Sequence, residues 1–234
     1  MDFPALAAGL ARVREVVAER QRRAGLSHEV RIVAVTKTHG PEAARAAWNA
    51  GLHDVGENRV QEALPKQDAT TDLPLAWHLI GGLQRNKARQ VAGRFALIHS
   101  VDRLELAQEL DRRAAPGAPQ PVLVQVNCSN EPQKGGVAPE GLAELLDAMR
   151  PLAHLRLRGL MTMAAYDADE AAQRRTFALL RSLRDESVRR GADLPELSMG
   201  MSADYAAAVA EGATILRLGT VLFGEREAGA ERPT

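Results

Sequence analysis

The stretch VRIVAVTK, from Val30 to Lys37, is an apolar run that ends on a lysine. A continuous apolar run of this length is typical of a strand buried on both faces, as in a parallel sheet. The chain holds only four lysines (37, 66, 87 and 134) among its 30 lysine and arginine residues. A lysine can lose its proton and attack a carbonyl, whereas an arginine cannot. The alternative interpretation of Lys37 is a strand-end residue that reaches solvent.

Strand-like and helix-like segments alternate outward from this run. Apolar residues at helical spacing predict an amphipathic helix over residues 4–24, before the first strand. Eight strand-like segments follow, and a predicted helix comes after at least the first seven: 30–36, 53–56, 76–81, 95–101, 121–127, 155–163, 194–199 and 214–218. The helix after the second segment is predicted to run through Glu62. This pattern predicts an α/β fold, a single (β/α)8 TIM barrel with an extra N-terminal helix. A doubly wound sheet is the alternative, but VAVTKTHGPE lacks its glycine-rich fingerprint.

The composition of the 234-residue chain is that of an ordinary globular protein, with 45% hydrophobic residues and a net charge of +0. We expect one domain over residues 1–225 and a disordered tail over 226–234. The neutral balance gives no support for nucleic acid as a partner. No apolar run approaches about 18–20 residues, so no membrane span is expected, and the single cysteine fits a cytoplasmic protein.

Polar residues are concentrated at the predicted carboxyl ends of the strands, where TIM barrels carry their binding sites. The seventh and eighth strands lead into SMGMSADY (198–205) and RLGT (217–220). There Ser202 offers a hydroxyl, Gly219 lets the backbone approach an anion, and Thr220 adds an N–H and a hydroxyl. These groups predict a phosphate site, because barrels commonly bind phosphate after strands seven and eight. The alternative is a tight turn with ordinary helix caps.

A Schiff-base lysine after the first strand and a phosphate site after the eighth would together hold an aldehyde that carries a phosphate. Pyridoxal 5′-phosphate (PLP) is such a molecule, and Arg217 is placed to contact its ring nitrogen. A guanidinium can only donate to that nitrogen, which favours the unprotonated ring and weakens it as an electron sink. Two alternatives stay open: Arg217 in a surface ion pair, and a Schiff-base aldolase acting on a phosphorylated sugar.

Other polar residues are assigned structural roles. Asp204 is predicted to cap the helix that follows it, and Glu57 and Glu62 to solvate a helix face. A metal site is not expected, because several histidines show no metal-ligand spacing: His39, His53, His99 and His154.

The segments around these residues resemble the family of pyridoxal phosphate homeostasis proteins and, more distantly, the barrel domain of alanine racemase. In chain order the matching segments are VAVTK (33–37), GENRVQE (56–62), WHLIGGLQRNK (77–87), HSVD (99–102), VNCSNEPQKGGV (126–137), GLMTM (159–163), LSMGMSADY (197–205) and ATILRLGTVLFG (213–224). They span nearly all of residues 30–225 and fall in the family's order, which makes them jointly specific.

The resemblance implies a barrel that carries PLP as a Schiff base on Lys37. The cofactor contacts that it implies are Asn58, Ser202, Arg217, Gly219 and Thr220, and the residues that would line the site are His78, Met161, Ser198 and Met199. The chain departs from the family at Gly82, where a histidine is usual, so access to the outer pocket is expected to differ.

The resemblance also separates storage of PLP from turnover. Alanine racemase has a second, β-rich domain and takes a tyrosine from its partner subunit as a second acid/base, whereas this chain ends shortly after its eighth strand. Racemisation needs two bases on opposite faces of the substrate carbon. We therefore expect a non-catalytic, monomeric PLP-binding protein that buffers intracellular vitamin B6 and delivers it to apo-enzymes. The alternative is a low-efficiency PLP-dependent amino-acid racemase.

Overall fold

A computed structural model describes residues 3–131 and 134–224, which form a closed barrel of eight parallel strands. The strands are β1 (Arg31–Val35), β2 (Asp54–Glu57), β3 (Ala76–Leu79), β4 (Leu97–Val101), β5 (Gln120–Gln125), β6 (Leu155–Met161), β7 (Glu196–Ser198) and β8 (Ile215–Leu218). Each strand pairs with the next, and β8 pairs with β1 to close the barrel. The predicted TIM barrel is thereby confirmed, while the predicted tail, 226–234, lies outside the described residues.

A helix lies before the first strand and after each strand. In the described residues these are α1 (Leu6–Ala24), α2 (Pro41–Asn49), α3 (Val60–Asp68), α4 (Ala88–Val91), α5 (Leu104–Arg113), α6 (Leu142–Met149), α7 (Glu170–Arg189), α8 (Tyr205–Ala210) and α9 (Thr220–Phe223). Short 3-10 turns, Arg85–Lys87 and Pro139–Gly141, lead into α4 and α6. Two residues mark helix ends: Pro41 is the first residue of α2, and Gly25 caps the end of α1 with a left-handed φ of 66°.

The barrel has a main hydrophobic core between its strands and helices and a smaller one inside the strands. The interior cluster consists of Val33, Leu97, Leu123, Met161 and Ile215. Side chains alternate between the two cores along each strand, as in other barrels. Space inside is limited at β2, where a Cβ on Gly56 would come within 2.8 Å of Val33 Cγ1.

Helix α1 packs against α8 and α9, so the N-terminal helix covers the closing end of the chain. The contact is close at Gly9, where a Cβ would lie 2.3 Å from the carbonyl oxygen of Val221. The glycine therefore allows α1 to rest directly on the backbone of α9.

Two local predictions differ from the structure. The helix expected to stop at Glu62 continues to Asp68 through Pro65, because the carbonyl that Pro65 cannot bond belongs to exposed Gln61 and can bond water instead. Asp204 precedes α8 but makes no side-chain cap bond to it. Its carboxylate instead accepts the backbone N–H of Met201, at 2.5 Å, and tightens the turn after β7.

Candidate functional site

Lys37 lies exposed two residues beyond the end of β1, at the mouth of the barrel. The next residue, Thr38, adopts a φ of 70°, a conformation that β-branched residues rarely take and that costs about 1–3 kcal/mol. The N–H of His39 closes the turn on the carbonyl of Thr36 at 3.2 Å. The surrounding structure must therefore hold this turn in place.

Three buried residues hold the turn, and we call them the Glu57 clamp: Thr36, Glu57 and Lys66. The hydroxyl of Thr36 donates to Glu57 Oε1 at 2.6 Å. The ammonium of Lys66 donates to the same oxygen at 2.6 Å and to the carbonyl of Thr36 at 2.9 Å. Side chains from β2 and α3 thus fix both the backbone and the hydroxyl of the residue before Lys37.

The clamp corrects the prediction that Glu57 solvates a helix face. Glu57 is the last residue of β2 and is fully buried. Burial raises the pKa of its carboxyl, against the lowering effect of the bonds from Lys66 and Thr36. The reason for the difference is that Lys66 extends from the longer α3 to reach the carboxylate, a contact that the shorter predicted helix could not make.

Backbone N–H groups at the start of α9 converge on one oxygen atom. The hydroxyl oxygen of Ser202 accepts from Gly219 N–H and from Val221 N–H, each at 3.2 Å. The register of β1 against β8 places Gly219 beside Val35, two residues before Lys37. The predicted phosphate residues therefore meet at the mouth, with Thr220 exposed next to them.

Arg217 is buried inside the barrel beneath this mouth, which excludes the surface ion pair considered above. Its Nη1 donates to Ser198 Oγ at 2.6 Å and its Nη2 to the carbonyl of Thr162 at 2.9 Å. Burial lowers the pKa of the guanidinium to about 10, while the charge of Asp204 acts to raise it. The group is therefore a fixed cation at neutral pH.

Of the four residues predicted to line the site, three lie inside the barrel and one packs outside the strands. Met161 belongs to the interior cluster and Ser198 contacts Arg217. His78 also lies inside, with both ring nitrogens engaged by protein partners, His99 and Asp54, at 2.9 Å each. Met199, by contrast, packs its side chain in the main core outside the strands. Any contribution of Met199 to a site at the mouth would come from its backbone.

Asn58 follows β2 and forms one wall of a groove beside the mouth. A Cβ on Gly81 would lie 2.2 Å from the Asn58 carbonyl oxygen, so the β3 turn rests directly on this residue. The groove, of about 500 Å³, is also lined by Gly82, Gln84 and Lys87. A Cβ on Gly82 would meet no atom within 4 Å, so this position leaves the groove open.

The barrel closure brings most of the predicted site residues to one end of the molecule. Lys37 stands between Asn58, which follows β2, and Gly219, which follows β8, because β1 pairs with both of these strands. Sequence reasoning missed the Glu57 clamp and the buried partners of His78 and Arg217. Those contacts join residues far apart in the chain, so local patterns do not reveal them. The one signal available was a polar residue in a segment predicted to be buried, because such residues are rarely buried without a partner.

Two broader properties of the described residues concern metal ligands and helix length. In residues 3–131 and 134–224, no group of three or more His, Cys, Asp or Glu side chains is arranged to hold a metal ion. Within the same residues, no helix combines the length and the apolar character needed to cross a bilayer.

Comparison with known proteins identifies the family. Residues 9–227 match the family model of the alanine racemase N-terminal domain. A protein of Pseudomonas aeruginosa, named pyridoxal phosphate homeostasis protein, is 47% identical over 227 residues, 96% of this chain and 97% of that protein. A protein of Aquifex aeolicus with the same name is 46% identical over 93% of this chain and 97% of its own length.

A solved structure of PipY from Synechococcus elongatus with PLP bound superimposes with a TM-score of 0.78 at 42% identity. The match covers 89% of this chain and all of PipY. Both the matched segments and the barrel topology therefore agree with the resemblance seen in the sequence. The chain belongs to the family of pyridoxal phosphate homeostasis proteins, whose barrel is that of the alanine racemase N-terminal domain.

Proposed function

We propose that this protein binds PLP as a Schiff base on Lys37 and acts in PLP homeostasis, holding the cofactor rather than using it in turnover. The observation that carries the proposal is the meeting of an exposed lysine, Lys37, with the N–H groups of Gly219 and Val221 at one barrel mouth. The homologous PipY has been solved with PLP bound. When bound, PLP supplies an aldehyde that reacts with an amine and a ring that withdraws electrons.

The chemistry of the donor set fits a phosphorylated pyridine aldehyde. Two backbone N–H groups already converge on the oxygen of Ser202, so they can also donate to a phosphate oxygen. Arg217, held below the mouth, supplies the donor for a ring nitrogen. We assign the remaining contacts to Asn58 and Thr220 at the mouth, and the lining of the site beneath them to four residues in or next to the strands: His78, Met161, Ser198 and Met199.

The choice of arginine supports binding over catalysis. Arg217 remains charged at neutral pH even though burial lowers its pKa to about 10. It can donate to a ring nitrogen but gives up no proton to it, so the ring stays a weak electron sink. We further propose that the protein works in the cytoplasm as a monomer and passes PLP to apo forms of PLP-dependent enzymes.

Replacement of Lys37 tests the proposed attachment. We expect the purified protein to show a visible absorption band with PLP, and borohydride to fix the cofactor on the peptide that contains Lys37. Lys37→Ala should lose both the band and the covalent adduct, because the amine that would form the Schiff base is removed, while the matched control Lys87→Ala keeps them. Absorption spectroscopy and peptide mass spectrometry measure these outcomes.

Two results would contradict the proposal. One is a wild-type protein that takes up no PLP, and the other is a reduced adduct carried by a different lysine. Solvent deuterium entering the α-carbon of an added L-amino acid, at a rate lost in Lys37→Ala, would instead identify an amino-acid racemase.

A further inference from the structure

A chain of hydrogen bonds crosses the barrel interior to Arg217. It begins at the amino-terminal end of the strands, which we call the floor. We call this series of bonds the relay, and its members are Asp54, His78, His99, Ser198 and Arg217. Successive members are joined at 2.9 Å (Asp54 Oδ1 to His78 Nε2), 2.9 Å (His78 Nδ1 to His99 Nε2), 2.9 Å (His99 Nδ1 to Ser198 Oγ) and 2.6 Å (Ser198 Oγ to Arg217 Nη1). Except for Asp54, every member is buried.

Barrel interiors are normally filled by branched apolar side chains, and here only part of the interior follows that rule. Val33, Leu97 and Leu123 belong to the apolar interior cluster, whereas the relay places two imidazoles and a hydroxyl in the same dry space. Burying such groups is costly unless each is hydrogen-bonded, and the relay satisfies them in series. The relay thus extends from Asp54, which is partly exposed, to the guanidinium of Arg217.

The chemistry of the two ends fixes the direction of every hydrogen bond between them. A guanidinium can only donate and a carboxylate only accepts. The Ser198 hydroxyl is fully buried between Arg217 and His99, so it accepts from Arg217 and gives its own proton to His99 Nδ1. His99 must then carry its proton on Nε2 and donate it to His78 Nδ1. His78 in turn carries its proton on Nε2 and donates to Asp54.

The surroundings of the histidines support this single arrangement. Burial, together with the charges of Arg217 and Arg31, lowers the pKa of His99, so it stays neutral with one ring proton. At the floor, Arg31 Nε lies 3.9 Å from Asp54 Oδ1, and its Nη2 lies 3.5 Å from Glu196 Oε1. Arg31 thereby places a positive charge beside the carboxylate that accepts at the end of the relay.

The relay determines how Ser198 faces Arg217. With its proton directed to His99, the serine presents a lone pair to Nη1, while the Thr162 carbonyl accepts from Nη2. Two bonds to a planar guanidinium fix its plane. Without an acceptor at His99, the Ser198 proton would have to turn towards the guanidinium and would weaken that contact.

We propose that Asp54, His78 and His99 are positioning residues, which act through Ser198 to hold Arg217 as a fixed donor beneath the cofactor site. This inference rests on the proposed function, because it takes Arg217 to be the partner of the PLP ring nitrogen. It assigns His78 to the support of Arg217 rather than to direct contact with the cofactor. Hydrogen bonds in such a chain polarise one another, so the carboxylate of Asp54 also strengthens the hydrogen bond between Ser198 and the Arg217 guanidinium.

The proton positions can be tested on the cofactor-free protein. Nitrogen-15 NMR of histidine-labelled protein should show His78 and His99 as neutral rings protonated on Nε2, assigned by their loss in His78→Gln and His99→Gln. Finding either ring protonated on Nδ1 would overturn the relay. If the substituted proteins fold poorly, a wild-type spectrum with fewer than two neutral rings protonated on Nε2 would overturn the relay without any assignment.

The effect on the site is tested with His99→Leu. We expect its PLP to remain reducible onto Lys37, but with a shifted absorption maximum and an affinity weaker by about tenfold, the loss of about one hydrogen bond. The matched control Leu97→Ala, an interior change outside the relay, should lower the melting temperature yet keep the absorption maximum and affinity. A His99→Leu protein with the wild-type spectrum and affinity would refute the inference, whereas a wild-type protein that never binds PLP would refute the proposed function instead.

Discussion

Glu57 is a fully buried carboxylate whose charge depends on a single lysine, Lys66. Its Oε1 accepts from both Lys66 and Thr36, whereas Oε2 has no hydrogen-bond partner among the described residues. A buried charge that loses its counterion destabilises a protein by about 3–5 kcal/mol, although a whole ion pair is often replaceable by apolar groups at little cost. Removing one partner of the Glu57–Lys66 ion pair should therefore destabilise the protein more than removing both partners.

Removal of Lys66 should accordingly cost more stability than removal of the pair. We expect Lys66→Met to lower the free energy of unfolding by about 3–5 kcal/mol, and the double variant Lys66→Met with Glu57→Gln to recover part of that loss. Chemical denaturation of both variants measures the difference. Lys87→Met is the matched control, with an expected change within about 0.5 kcal/mol. Equal losses in the single and double variants would show that the pair is not coupled.

The same variant should respond to pH in a defined direction. Because burial raises the pKa of Glu57, the folded chain holds that proton more tightly than the unfolded chain. The stability contributed by this group therefore falls as pH rises from the ordinary glutamate range through the raised pKa. Lys66→Met removes a hydrogen bond that lowers the pKa of Glu57. The loss in free energy of unfolding relative to wild type should therefore be largest at neutral pH and should shrink towards pH 5. A deficit that stays constant would contradict this account.

At the level of elements, the contact between α1 and α9 links the N-terminal helix to the backbone that is proposed to bind phosphate. Gly9 of α1 rests on the carbonyl of Val221, and the N–H of Val221 is one of the donors beside Ser202. Gly9→Ala would bring a Cβ within 2.3 Å of that carbonyl. Backbone cannot yield as a flexible side chain does, so α1 or α9 must shift.

We expect Gly9→Ala to reduce stability by about 1–3 kcal/mol, the usual cost of overpacking, and also to weaken PLP binding through the displaced Val221. Denaturation and a PLP titration measure the two effects. Gly141→Ala serves as the control, since its Cβ would meet only the Val137 side chain, at 3.2 Å. Unchanged PLP affinity in Gly9→Ala would mean that the position of α1 is not coupled to the site.

The elements themselves could largely be predicted from the sequence, since their signals are local. The apolar run before Lys37 predicted β1, and the periodicity of residues 4–24 predicted α1 to within two residues of its start. The Glu57 clamp and the relay could not be predicted in this way. Their bonds join residues up to 99 positions apart, as between His99 and Ser198, and exist only once the barrel closes. Periodicity carries no information about such contacts.

At the scale of the whole molecule, the two ends of the barrel carry different groups. The floor carries a group of charges that includes Arg31, Asp54 and Glu196, and the mouth carries Lys37. The strands between them are packed on both faces, and the relay runs through the interior from Asp54 at the floor to Arg217 beneath the mouth. Lys37 is exposed at the mouth, so a ligand held there as proposed would leave outward, which is the basis for expecting delivery.

Delivery can be separated from simple release by destroying free PLP during the transfer. We expect the PLP-loaded protein to reactivate an apo-aminotransferase even when a phosphatase that hydrolyses free PLP is present, because PLP that passes directly between the two proteins is never free in solution. Free PLP at equal concentration, and PLP mixed with Lys37→Ala, should both fail under the same conditions. Reactivation that disappears with the phosphatase would show that PLP leaves to solution first, and the protein would then act as a buffer alone. The rate of recovered aminotransferase activity distinguishes the two outcomes.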